Sequence, residues 1–139
     1  MKISARNQIE AGVLSVNKGA VNAKIALRAP KGTTLSAIIT IESVESLDLA
    51  VGDVVRAFFK ASHVLIATGG MPKISARNKL AGRVEKVIQG AVNTELIIQL
   101  ESGDLLTSII TNESMAELGI GLGSDVIAIV KASDVMIAK

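Results

Sequence analysis

The chain contains no cysteine, tryptophan or tyrosine, and only one histidine, two prolines and two phenylalanines among its 139 residues. Without cysteine there is neither a disulfide framework nor a thiolate metal site. Without stacking aromatics the chain lacks the platform on which single-stranded nucleic acid is usually held. Fifteen basic against thirteen acidic residues leave a formal charge of +2, too small for a general nucleic-acid surface. No apolar run approaches the roughly 18 residues of a membrane-spanning helix, and the first residues lack the basic-then-apolar pattern of a secretory leader. The expectation is a cytoplasmic protein with no nucleic-acid or membrane partner. His63 has no partner at metal-ligand or acid–base spacing, and is read as a surface or packing residue. There is no Gly-x-x-x-x-Gly-Lys-Ser/Thr cradle for a nucleotide. These absences predict a non-enzyme with no catalytic residue, no catalytic cofactor and no bound metal cation.

What the chain has is aliphatic bulk and an internal echo. Apolar residues make up 49% of it, nearly all Ala, Val, Ile and Leu. Lys2-Ile3-Ser4-Ala5-Arg6-Asn7 recurs 71 residues later as Lys73-Ile74-Ser75-Ala76-Arg77-Asn78. The same offset carries Gly19-Ala20-Val21-Asn22 onto Gly90-Ala91-Val92-Asn93, and Lys60-Ala61-Ser62 onto Lys131-Ala132-Ser133. Between 2–67 and 73–138 the alignment needs no gap, and 29 of its 66 pairs are identical. A long period seen only twice indicates a duplicated domain, since a solenoid needs more copies to bury a core. The boundaries follow as 1–67 and 73–139, with Thr68-Gly69-Gly70-Met71-Pro72 as a punctuated linker. A unit of that size buries only about 60% of its unfolded surface and is marginal alone. The repeats should therefore lean on each other or on other subunits, and the aliphatic excess suits extensive subunit contacts.

Within each repeat the pattern is mostly strand. Val13 and Val16 mark a short first strand, and Asn17-Lys18-Gly19 a turn. Val21, Ala23, Ile25 and Leu27 then alternate with more polar residues, the period of a half-buried strand. Pro30-Lys31-Gly32 breaks the pattern before a strand over 35–41. Glu42 to Leu47 reads as one helical turn with Ser43 as candidate N-cap, and Glu113 to Leu118 as its counterpart. Strands over 54–60 and 64–67 complete the repeat. Five short strands and one small helix predict an all-β protein of two tandem five-stranded barrels, an architecture that leaves no open sheet edge.

The repeated polar residues suit a small anion. Ser4, Thr40, Ser43 and Ser62 supply hydroxyl donors, while Arg6 and Lys60 supply charge-assisted ones of roughly twice the strength. Gly19-Ala20 is small enough for its backbone N–H groups to approach a ligand. Asn7 and Asn22 could equally be turn or cap residues, because asparagine side chains bond local backbone.

Ser-Ala-Arg-Asn, Gly-Ala-Val-Asn, Thr-x-Glu-Ser and Lys-Ala-Ser, in that order and twice over, resemble the Mop domain of the wider TOBE group of molybdate-binding modules. The resemblance covers essentially the whole chain, and a tandem pair is similar to the di-Mop molbindins. It implies barrels of the OB type, a homotrimer, and oxyanion sites at subunit interfaces. One kind of site would take Ser4, Ala5, Arg6, Lys60, Ala61 and Ser62 from one subunit with Thr40 and Ser43 from a neighbour. Its second copy would take Ser75, Ala76, Arg77, Lys131, Ala132 and Ser133 with Thr111 and Ser114, and either copy of the neighbour could complete each set. A second kind would be lined by Gly19, Ala20, Val21 and Asn22, and by Gly90, Ala91, Val92 and Asn93, near the threefold axis. Asn7 and Asn78 would hold the loop, and Glu42 and Glu113 would pair with basic residues or face away. The ligand implied is molybdate or tungstate, which differ too little in size for the sequence to separate. The role implied is storage and homeostasis of the oxyanion. Sensing, or an accessory part in transport, would work through a separate partner protein.

Overall fold

The computed structural model describes residues 1–139. It is mostly β, with two five-stranded antiparallel sheets, each accompanied by one short helix. Strand β1 (Asn7–Lys18) is twelve residues long, not short. Ile9, Ala11 and Val13 point inward and alternate with Gln8, Glu10 and Gly12, a signal muted in the sequence by the small side chains. An irregularity in register between Val13 and Ser15 then shifts the phase of the strand. A bulge of this kind bends a strand enough for it to serve two neighbours. β1 pairs along its first half with β4 (Val54–Phe59) and along its second with β2 (Asn22–Arg28), which pairs in turn with β3 (Thr34–Thr40).

Helix α1 (Ile41–Ser46) follows β3 directly. Its N-cap is Thr40, not Ser43. Thr40 keeps the extended conformation of the strand it ends, and its hydroxyl accepts from the N–H of Ser43, the third helical residue. A 3-10 turn, Ala61–His63, separates β4 from β5 (Leu65–Ala67).

The second repeat gives β6 (Asn78–Gln89), β7 (Asn93–Leu100), β8 (Leu105–Thr111), α2 (Asn112–Leu118), β9 (Asp125–Val130), a 3-10 turn at Ala132–Asp134, and β10 (Met136–Ala138). The final strands are exchanged. β5 pairs with β9, Leu65 opposite Ile129, and β10 pairs with β4, Met136 opposite Phe58. The sheets therefore run β10-β4-β1-β2-β3 and β5-β9-β6-β7-β8. The two compact units are Met1–Phe59 with Lys131–Lys139, and Lys60–Val130.

The first unit is centred on Ile25, Leu27, Leu35, Val44, Val55 and Phe59, all nearly inaccessible. The second has Leu96, Ile98, Leu106, Val126 and Val130 in the corresponding places, with a half-buried Met115 at the position of Val44. Each such apolar side chain contributes about 1.5–3 kcal/mol by leaving water. Val21 departs from the expected alternation. β2 begins at Asn22, and Val21 is 70% exposed in the turn, as is Val92 in the second unit. The turn itself sits two residues later than the sequence suggests, because Asn17 and Lys18 still belong to β1.

Candidate functional site

The β2–β3 hairpin decides where the repeated polar residues go. Asn22 pairs with Thr40, so the Gly19–Asn22 loop lies beside the start of α1. The N–H of Ile41 donates to the carbonyl of Val21 at 2.9 Å, which ties the loop to the helix. Gly19 donates its N–H to the carbonyl of Asn22 at 2.8 Å, and a Cβ at Gly19 would stand 3.1 Å from that oxygen. At Gly90 the same clearance is 2.9 Å. Both positions favour glycine, and at Gly90 a side chain would force the backbone to shift. The loop and the helix cap, two separate expectations in the sequence, meet at one end of the sheet in each unit.

At the cap, Thr40 Oγ1 accepts from the Ser43 N–H at 3.1 Å and lies 2.9 Å from Ser43 Oγ, to which it donates. Thr111 and Ser114 repeat this geometry at 3.0 and 2.9 Å. With its oxygen accepting from threonine, each serine hydroxyl keeps its own proton to donate outward.

In the first unit Thr40, Ser43 and Ser46 line an open groove together with Ser133, Val135 and Ile137. The 3-10 turn that carries Ser133 packs against β3, and the turn at Ala61–His63 packs likewise against β8 in the second unit. Strand exchange thus brings the cap of one repeat to the Lys-Ala-Ser turn of the other, inside one unit. Ser108 Oγ, buried, donates to the carbonyl of Val64 at 2.7 Å and fixes this packing in the second unit.

The groove has hydroxyls and no cation of its own. Its one charged lining residue is Glu42, which contributes to the wall where the sequence suggested pairing with a base or facing away. Arg6 and Arg77, Lys60 and Lys131 are exposed, as are Ser4, Ser75, Ser62 and Ser133. Ala5 and Ala76 are half-buried, and Ala61 and Ala132 are buried under the 3-10 turns. Gln8 Nε2 donates to the carbonyls of Ile3 and Ala5 at 3.0 and 2.9 Å and folds the Ser-Ala-Arg segment back on itself. Its counterpart Lys79 instead reaches the carbonyl of Pro72 at 3.5 Å. Asn7 and Asn78 are buried at the first position of their strands, and no buried side-chain polar atom lacks a partner. A second open groove, lined by Thr68, Gly69, Arg83, Glu101 and Asp125, holds none of the expected donors. There Arg83 is already paired with Asp125 at 3.2 Å.

Two residues that the sequence reading passed over stand next to the loop in the second unit. Asn112, the first residue of α2, sends its side-chain amide to the carbonyl of Gly90 at 3.0 Å and accepts from Thr94 Oγ1 at 2.5 Å. The first repeat has Ile41 and Ala23 at these positions. The signal was a pair of aligned inward positions that turn polar together.

Comparison with known proteins agrees with this fold. The model of the TOBE domain matches residues 3–66 and again 74–137. Molybdenum-pterin-binding protein MopA of Rhodobacter capsulatus is 42% identical over 139 residues, covering 99% of this chain and 52% of that protein. Molybdenum transport protein ModE of Azotobacter vinelandii is 37% identical over 138 residues, covering 99% and 51%. The chain thus spans about half the length of these curated relatives. A crystal structure of the cytoplasmic molybdate-binding protein ModG with molybdate bound superposes with a TM-score of 0.94 at 42% identity, covering 99% of both chains. With two matches to one domain model, together covering nearly all of its length, the chain belongs to the TOBE domain family and carries that domain twice in tandem.

Proposed function

We propose that this protein binds molybdate or tungstate in the cytoplasm, without a catalytic step, at sites completed between the subunits of a homotrimer, and so stores and buffers the oxyanion. The observation that carries this reading is the division of labour around the cap. Each repeat has a hydroxyl pair beside a 3-10 turn, the groove measured in the first unit has no base in its lining, and the repeated Arg and Lys stand exposed elsewhere.

A tetrahedral dianion has four acceptor oxygens and no donors, so it needs hydroxyl, amide and cationic donors together. Glu42, beside Thr40 and Ser43 in the groove wall, would repel a dianion unless positive charge were brought to the groove. Arg6 and Lys60 of a neighbouring subunit, or Arg77 and Lys131, meet that need. The exposed Val21 and Val92 give the loops an apolar surface for contact around a threefold axis. Sulfate has the same charge and shape but shorter bonds, so selectivity would come from a rigid pocket of fixed size. The bound molybdate and the cytoplasmic description of ModG, similar over the full length of this chain, support the same reading.

Equilibrium binding of molybdate, with sulfate and phosphate as competitors, tests it when run beside light scattering. The expected result is a trimer that prefers molybdate, and a monomer that binds molybdate equally well would overturn the interface sites. A second reading, sensing or transport through a partner, is favoured by one observation. Proteins named molybdenum transport protein ModE match this chain along its whole length with about half of theirs. Co-purification with a DNA-binding or transporter subunit, in a molybdate-dependent manner, distinguishes it from storage.

A further inference from the structure

The Gly-Ala-Val-Asn loops have identical sequences in the two repeats but are not held alike. In the second, Asn112 grips the loop at two points. Its backbone N–H donates to the carbonyl of Val92 at 2.8 Å, and its side-chain amide donates to the carbonyl of Gly90 at 3.0 Å. Thr94 Oγ1, on a residue with no accessible surface, donates to Asn112 Oδ1 at 2.5 Å and fixes which way the amide faces. Every peptide in the chain is trans, so within each planar peptide the N–H points in the opposite direction from the carbonyl. Drawing the carbonyls of Gly90 and Val92 towards α2 therefore turns the N–H groups of Ala91 and Asn93 away from the helix. In the first repeat only the Val21 carbonyl is held, by the N–H of Ile41 at 2.9 Å. The Ile41 side chain has no polar atom to reach Gly19, and Ala23 has no hydroxyl to orient one. The peptide between Gly19 and Ala20, next to a residue with free backbone rotation, lacks the second anchor.

We propose that Asn112, oriented by Thr94, is a positioning residue that presets the Gly90–Asn93 loop for a tetrahedral oxyanion, so that the loop of the second repeat takes up the anion before that of the first. The inference rests on the oxyanion-binding reading and adds to it an order of filling between sites of identical sequence. Donors aimed before the ligand arrives lose less freedom on binding, and the gain appears as affinity. One fixed peptide of this kind corresponds to a difference of about three- to tenfold between the two loops.

The test is a reciprocal exchange read by titration calorimetry with sodium molybdate on the full-length oligomer. Asn112→Ile with Thr94→Ala gives the second repeat the residues of the first, and Ile41→Asn gives the first repeat the amide of the second. The expected result is that the first variant weakens one class of sites about three- to tenfold, with total stoichiometry unchanged. The second variant should tighten the other class towards the stronger. A merely structural role would lower melting temperature without this opposite movement of the two classes. Unchanged affinities in both variants, with the unaltered protein still binding, would overturn the positioning role alone. No uptake of molybdate by the unaltered protein would overturn the oxyanion reading and this inference with it.

Discussion

The two repeats keep the same donors in the same places but secure their surroundings differently. The first unit is tightened at the end of its sheet remote from the loop. Lys139 Nζ pairs with Asp53 at 3.0 Å and bonds the carbonyl of Asp48 at 2.6 Å, while Asp53 also accepts from the N–H of Ala50 at 2.8 Å. The second unit has Thr68, Ser124 and Gly119 at the positions of Lys139, Asp53 and Asp48, and makes the turn with Ser124 accepting from Gly121 at 2.9 Å. Its distinctive bonds are the Asn112–Thr94 tether beside the loop and the buried Ser108–Val64 contact at mid-strand. The comparison teaches that duplication preserved the proposed anion donors while the residues that support them were rebuilt in each half. Two copies of one proposed site can then differ in behaviour without differing in the residues assigned to the anion.

Removing a cation is the strongest way to break the proposed equivalence of the donor sets. Lys60→Ala should weaken binding at its own set of sites by about 10- to 100-fold, since a charge-assisted hydrogen bond contributes about 1.5–3 kcal/mol. Lys131→Ala should do the same at the other set, and titration calorimetry separates the two. Complete loss of all sites in both variants would mean that the repeats do not act independently.

Backbone packing gives the next largest difference. A Cβ at Gly82 would lie 2.7 Å from both the carbonyl of Gln99 and Cγ2 of Ile98, whereas the first repeat accommodates Ala11 at the aligned position. Gly82→Ala should cost about 1–3 kcal/mol in urea unfolding. Ala11→Gly should cost no more than about 1 kcal/mol.

The helix ends offer a smaller contrast. Asp48 has φ 47° where Gly119 has φ 64°, so only the first repeat places a side chain in the left-handed region. Gly119→Ala should destabilise by about 1 kcal/mol, and Asp48→Gly should stabilise by less than about 1 kcal/mol, because the relief is offset by a freer unfolded chain.

The smallest effect is electrostatic and depends on pH. The Ala50 N–H, and then the Lys139 ammonium, hold the Asp53 carboxyl below its ordinary value of 3.8. A depressed folded value contributes stability above the unfolded one, and that contribution is lost as pH falls through the folded value. Asp53→Asn should therefore be less stable than the unaltered chain at neutral pH, with the gap closing below about pH 4. A gap that stayed constant into acid would show that Asp53 acts through packing alone.

Much of this was legible in the sequence because the repeat served as its own alignment. Alternation in Ala23, Ile25 and Leu27 gave a strand, and the turn residues gave its limits. The long first strand was obscured by Ala11 and Gly12, whose size hides the period, and by the shift of phase after Val13. Ser43 was the expected cap, but the threonine ending the strand already held the extended geometry and hydroxyl that the third helical N–H requires. The proposed donors were singled out by their recurrence at one offset. That Thr40 and Ser43 share a groove with Ser133 followed from pairing that no local pattern encodes.

The sequence by itself determined the duplication, the predominance of strand and the set of polar residues kept in both copies. These depend on composition, on short periods and on identity at a fixed offset. The tertiary structure alone decided which sheet receives each final strand. Leu65-Ile66-Ala67 and Met136-Ile137-Ala138 are nearly interchangeable, and either could satisfy the free edge of β4 or β9 by the same backbone bonds. Tertiary closure also decided that Asn112 would find both Thr94 and Gly90, because hydrogen bonding between side chains far apart in sequence requires the hairpin to bring them within reach.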